Sequence, residues 1–203
     1  MRRAEKELKD GHVSFSSEAE YSQSSGSAAG HMTSALGNRT EPFRRWPSGI
    51  YAAKARADEL SAGYSTPPIP VLEIAEKTGV NVIFADFGKH NETVAGFCDF
   101  AAAKLFVNAK DVRARQMFTM AHELGHWVMH RDAFLNDPTK YPVLPRFQDP
   151  APGNPFEREA NAFAANLLVP ARLLIPVKSS PVSVLADIFG VSRSMMEFRL
   201  RNV

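Results

Sequence analysis

Residues 112–130, VRARQMFTMAHELGHWVMH, constrain this chain more than any other stretch. Met117, Met120, Leu124, Trp127 and Val128 recur at the period of an amphipathic helix with one face in a core, and Asp111 is of a type that caps a helix N-terminus. The fold must therefore be organised around one long, half-buried helix. That helix carries three histidines, His122, His126 and His130, and one glutamate, Glu123, among them.

The 203 residues suffice for one ordinary domain, and 44% hydrophobic content fills a core. A formal charge of +2 is too small to argue for a nucleic-acid coat or an anionic membrane surface. The single cysteine, Cys98, excludes an intramolecular disulfide or a multi-cysteine metal cluster, and is expected as a buried apolar residue in a reducing cytosol. No apolar run reaches the ~18–20 residues of a membrane helix, and MRRAEKELKD lacks the apolar centre of a secretory signal. No membrane partner is expected.

Residues 1–40 are crowded with Ser, Gly and Ala and predict a flexible N-terminal segment. Within them SSGSAAGHM has the character of a linker ending in a cloning scar, with Met32 as a natural start. Residues 1–22 then read as a partner's peptide tethered to the domain, against the plainer reading of a natural disordered tail.

From residue 41 to 203 the pattern is globular. Ile50, Ala53, Ala57 and Leu60 repeat helically up to Gly63, and a short helix from Val71 to Thr78 leads through Gly79 into the β-branched run VNVIFADF. VAGFCDF and AKLFVNA are two further strands with roughly alternating apolar residues. The class is α+β: a small, mostly antiparallel three-stranded sheet packed against helices, with HELGH on the central one. After His130, six prolines in RDAFLNDPTKYPVLPRFQDPAPGNPFE mark a surface loop, and PFEREANAFAANLLVP forms a second strong helix up to Pro170. Residues 181–203 read as two short helices joined at GVS. Their Arg193, Arg199 and Arg201 invite comparison with a DNA-reading helix, but Met195, Met196, Phe198 and Leu200 favour a packing face, so no direct DNA binding is expected.

His122 and His126, four apart, face the same way on a helix with Cβ atoms about 6 Å apart, so both imidazoles can meet one zinc ion at ~2.0–2.1 Å. Glu123 lies beside that face, where it reaches a water in an open coordination position without binding the ion, the place of a general base. A third ligand must come from elsewhere, and Glu157 and Glu159 are the candidates. Glu157 shares a helix stripe with Asn161, whereas Glu159 lies about 160° around the axis at 3.6 residues per turn. The stripe favours Glu157 as ligand, with Asn161 supporting a histidine's second nitrogen, and leaves Glu159 to a surface salt bridge. His130 lies about 12 Å along the axis from His122, too far to share the ion. It is expected near the helix C-terminus as a candidate cleft residue, along with Tyr141.

In order and spacing, VLEIAEKTGVNV, LFVNAKDVRARQMFTMAHELGHWVMH, EREANAFAANLLVP and VSVLADIFGVSRSMMEFRL resemble the ImmA/IrrE family of bacterial metallopeptidases from about Pro68 to Leu200. The resemblance implies a compact gluzincin of zincin-like fold, with one zinc (or another divalent metal) on His122, His126 and Glu157. It also implies an endopeptidase that cleaves or inactivates a helix-turn-helix repressor of Xre or phage type, or an antitoxin, in the bacterial cytoplasm. The competing reading is a non-cleaving interaction or toxin module on the same fold, controlled by such a partner. LLVP stands where LLMP is common in the family, and residues 1–40 have no counterpart there.

Overall fold

The computed structural model describes residues 49–136 and 154–203, with the backbone of Arg146–Phe147 between them, all within the unit Trp46–Val203. The expectations for residues 1–40, the tethered peptide at 1–22 and Tyr141 fall outside the described residues.

Helix α1 (Ile50–Ser61) buries Ala53, Ala57 and Ser61, a stripe of three small side chains at four-residue spacing that lets it lie close against the later helix Pro155–Leu168. Helix α2 (Val71–Lys77) turns through Gly79, at φ +83°, into β1 (Asn81–Ala85). Positive φ costs glycine little, so the helix can stop and the strand begin within a few residues. Strands β2 (Val94–Asp99) and β3 (Lys104–Asn108) follow as a hairpin.

The fold is α+β, as the sequence predicts. The sheet order is β1-β3-β2-β4, with β4 the two-residue Arg146–Phe147 segment added at one edge. Two of its pairings, β2 with β3 and β2 with β4, are antiparallel, and β1 runs parallel to β3, so the sheet is mixed. Leu105 and Val107 point into the core, while Phe106 stacks on its cross-strand neighbour Phe97 at 4.6 Å between centroids. Cys98 is buried, and burial pushes its thiol up, so it remains an inert apolar side chain.

The central helix, α3, spans Arg113–Asn136. It starts one residue later than an Asp111 cap would place it, since Val112 O accepts from the amides of Arg115 and Gln116; Asp111 instead faces Arg115 at 3.6 Å. It also continues six residues past His130. The cause is tertiary: Phe134 is buried and stacks on Phe100 at 4.6 Å, so apolar burial carries the helix beyond its last histidine. Trp127 donates from Nε1 to Thr78 O at 3.2 Å and ties α3 to the end of α2.

Helix α4 (Pro155–Leu168) starts with Pro155 in its first turn and with Asn154 capping the Phe156 amide. It crosses α3 at Gly125. A Cβ there would lie 3.0 Å from Phe163 Cδ1 and 3.3 Å from Ala160 Cα, and the latter is backbone that cannot rotate away. Gly125→Val is therefore expected to push α4 outward and cost about 1–3 kcal/mol by overpacking, read by urea unfolding. Since α4 carries Glu157 and Asn161, divalent-metal affinity should fall in the same variant. A valine variant as stable as the parent, with unchanged affinity, would show that the crossing is not tight.

After α4 come α5 (Ala171–Leu174), a 3-10 turn, α6 (Val182–Phe189) and α7 (Arg193–Arg201). Pro155–Val177 is long and apolar enough to cross a membrane by composition, but 56% of its most apolar stretch is buried inside the fold. The terminal pair is the expected helical hairpin: Gly190 takes a left-handed φ of +68° between the helices, and Ser192 caps α7 through the Met195 amide. Met196 is buried, as a packing face requires, whereas Phe198 is 48% exposed and departs from that expectation. Arg199 is also buried, donating from Nε and Nη2 to Val169 O at 3.1 and 2.8 Å, so it braces α7 on α4.

Candidate metal centre

One stripe of α3 and the first turns of α4 supply the centre. His122 Nε2 and His126 Nε2 lie 3.0 Å apart, and Glu157 reaches both, with Oε2 at 3.1 Å from His122 and Oε1 at 3.2 Å from His126. These three form the His/Glu cluster able to hold a metal among the described residues. Two ligand atoms at ~2.05 Å from a tetrahedral ion stand about 3.3 Å apart, so the donor spacing fits such an ion with little movement. Three like lone-pair atoms turned toward one another in a buried place also need a cation or shared protons between them. The residues present thus fit a divalent metal.

Burial pushes the Glu157 carboxyl up, but hydrogen bonds and charge from His122 and His126 outweigh it and hold the group well below the usual carboxylate range. Glu157 is therefore an anion at neutral pH, as a ligand must be. Glu123, next to His122 on the helix, is 1% exposed.

Each histidine is held from behind. With Nε2 of His122 turned to the cluster, its ring proton belongs on Nδ1, which donates to Asn161 Oδ1 at 3.0 Å. The sequence pairing of Glu157 with Asn161 on one stripe is thus realised in space, one residue at the ligand set and the other behind a ligand.

His126 is supported differently, and here two expectations need correction. His130 is not at the helix end; it lies six residues before it and is 3% exposed. Glu159 is not a surface glutamate; it is 8% exposed, and its Oε2 lies 3.0 Å from His130 Nε2. The third member of the chain is His126, whose Nδ1 is 3.0 Å from His130 Nδ1. One assignment satisfies every atom: His126 Nδ1–H donates to His130 Nδ1, and His130 Nε2–H donates to the Glu159 carboxylate. Burial and the neighbouring His126 bring His130 down to about 4 against the opposing pull of Glu159, which keeps the ring neutral as the relay requires. Phe156 packs edge-on to His130 at 4.8 Å and dries the relay.

Sequence reasoning missed this relay although a signal was present. Glu159 shares a stripe with Phe163 and Leu167, both buried, and a carboxylate on the apolar face of a helix must find a partner.

A peptidase family described as the IrrE N-terminal-like domain matches residues 75–201. No curated protein matches the chain. Among solved structures, a Mycobacterium tuberculosis transcriptional regulator shares the fold at TM-score 0.52 and 20% identity, covering 74% of this chain. The chain spans about half of that protein, 54% of its length. The family match covers more than half of the sequence and includes His122, His126, Glu157 and the residues behind them. This chain therefore belongs to the IrrE N-terminal-like domain family of peptidases.

Proposed function

We propose that the chain is a zinc-dependent endopeptidase of the bacterial cytoplasm that cleaves, and so inactivates, a helix-turn-helix repressor or antitoxin of Xre or phage type. The observation that carries the reading is the meeting of His122 Nε2, His126 Nε2 and the Glu157 carboxylate at 3.0 to 3.2 Å, with Glu123 adjacent on the same helix. Two imidazoles and one carboxylate suit zinc among the common divalent metals. Bound there, the ion supplies a Lewis acid for the scissile carbonyl and lowers the pKa of a water toward ~7. The remaining work falls to the chain. Glu123 takes the proton from the attacking water and returns it to the departing amine. Asn161 and the His130–Glu159 pair hold the two imidazoles in the orientation and tautomer that leave both Nε2 lone pairs on the cluster. The repressor as substrate is what the resemblance to the ImmA/IrrE family implies.

A second reading is favoured by one observation. His122, Glu123 and His126 are 1%, 1% and 4% exposed, so access for a polypeptide is narrow, as suits a module that binds its partner without cutting it. Incubating the zinc-loaded chain with a helix-turn-helix repressor of Xre type, followed by mass spectrometry, tests the choice. Two new fragments that fail to form after chelation are expected. A partner that binds yet stays whole with zinc present would establish the second reading.

A further inference from the structure

A cavity of about 960 Å³ opens beside the metal centre, between the start of α3, the outer face of α4, the first turns of α1 and the terminal helix α7. It lies at the upper end of the ~300–1,000 Å³ range of ligand sites, room for several residues of an extended chain. Two of its lining residues neighbour the centre: Asn161 holds His122, and the Phe118 ring lies 6.5 Å from that of His122. Its far end is apolar, with Met195 and the half-exposed Phe198.

The charge of the wall is one-sided. Lys54, Arg115, Arg158 and Arg199 line the cavity and no Asp or Glu does. Arg199 is committed to Val169 O, and Arg115 is shared with Asp111. Lys54 and Arg158 make no ion pair among the described residues. Arg158, an exposed residue of α4, directly follows Glu157 in the chain and lines the cavity.

We infer that this cavity is the docking cleft for the flank of the protein substrate, and that it takes an extended segment carrying carboxylate side chains near Arg158 and Lys54 and a large apolar side chain against Phe198 and Met195. The inference rests on the peptidase reading for the word substrate but not for the binding. Arg158 gains most from an acidic partner, because it gives up no ion pair on binding, while Lys54 shares its charge with Asp58 one turn away; the apolar floor supplies burial that bulk charge attraction lacks.

The test uses the full chain carrying Glu123→Gln, loaded with zinc, and two short fluorescein-labelled peptides with identical apolar residues, one with Glu and one with Lys at the polar positions. Fluorescence anisotropy should show the acidic peptide binding roughly tenfold or more tightly at low salt, with the preference shrinking at about 500 mM salt as the charges are screened. Lys54→Glu with Arg158→Glu should remove or invert the preference, and Phe198→Ser should weaken both peptides alike. Thermal midpoints of the variants are compared with the parent, and Arg158→Ala serves as a milder replacement should the double reversal unfold. Equal binding of the two peptides, or a preference unmoved by either change at Arg158, would overturn the assignment. A chain that prefers the acidic peptide but never cuts its partner keeps the cleft and loses the peptidase; a chain that cuts without charge preference does the reverse.

Discussion

Glu123→Gln is expected to retain the metal and lose the cleavage. The two side chains have nearly the same shape, and Glu123 is 1% exposed on a helix packed on both sides, so the substitution should leave fold and metal stoichiometry unchanged. An amide, however, has no basic oxygen at neutral pH, so nothing at this position can take the proton from the attacking water or return it to the amine. General-base catalysis contributes typically 10²–10⁴-fold, and turnover of the partner should fall by about that factor. Partner affinity should not fall with it, since the group acts on the reacting water and not on the rest of the substrate. Metal content by mass spectrometry, partner binding by calorimetry and fragment formation together read the three quantities separately. If the glutamine variant cut its partner at the parental rate, Glu123 would not be the base. If it also lost the metal, the carboxylate would be a ligand or an essential support, and the assignment of roles along HELGH would be wrong.

What could be read from the amino-acid order divides by the range of the interaction that decides it. The central helix, the α4 helix and the hairpin strands follow from local periodicity, and the pairing of His122 with His126 is a property of a single helix. Choosing Glu157 over Glu159 needed only the angle between two residues on one helix and the presence of Asn161 a turn later, and the structure places the Glu157 carboxylate 3.1 and 3.2 Å from the two imidazoles. The end of α3 was not legible, because it depends on Phe134 finding Phe100, thirty-four positions away on another element. The parallel run of β1 beside β3 was not legible either, since alternation of apolar residues marks a strand but not its neighbour or direction. The His126–His130–Glu159 relay fell between these cases. Its members are separated by 29 positions at the Glu159 step, and the usual expectation for a glutamate early in a helix is solvent. The apolar stripe on which Glu159 sits was the only local hint.

That relay makes Glu157 and Glu159 separable by experiment although they stand two residues apart. Glu157→Gln removes one of three donors and the negative charge that two imidazoles share, so the metal should be bound so weakly that a modest chelator strips it, and cleavage should be lost with it. Glu159→Gln keeps an acceptor, because the amide oxygen can still receive the His130 Nε2 proton, and removes only the charge. Outer-shell partners of this kind typically cost 10–100-fold in metal affinity, and the loss should lie in that range. Glu159→Leu removes the acceptor as well, leaving the buried His130 Nε2–H without a partner. It should therefore destabilise the metal-free chain by about 1–3 kcal/mol, an effect that Glu157→Gln need not show. Competition of each variant against a zinc-sensitive dye, together with urea unfolding of the metal-free forms, distinguishes the two positions. An affinity loss at Glu159 as complete as that at Glu157 would place Glu159 among the ligands, and a normal metal site in Glu157→Gln would remove Glu157 from them.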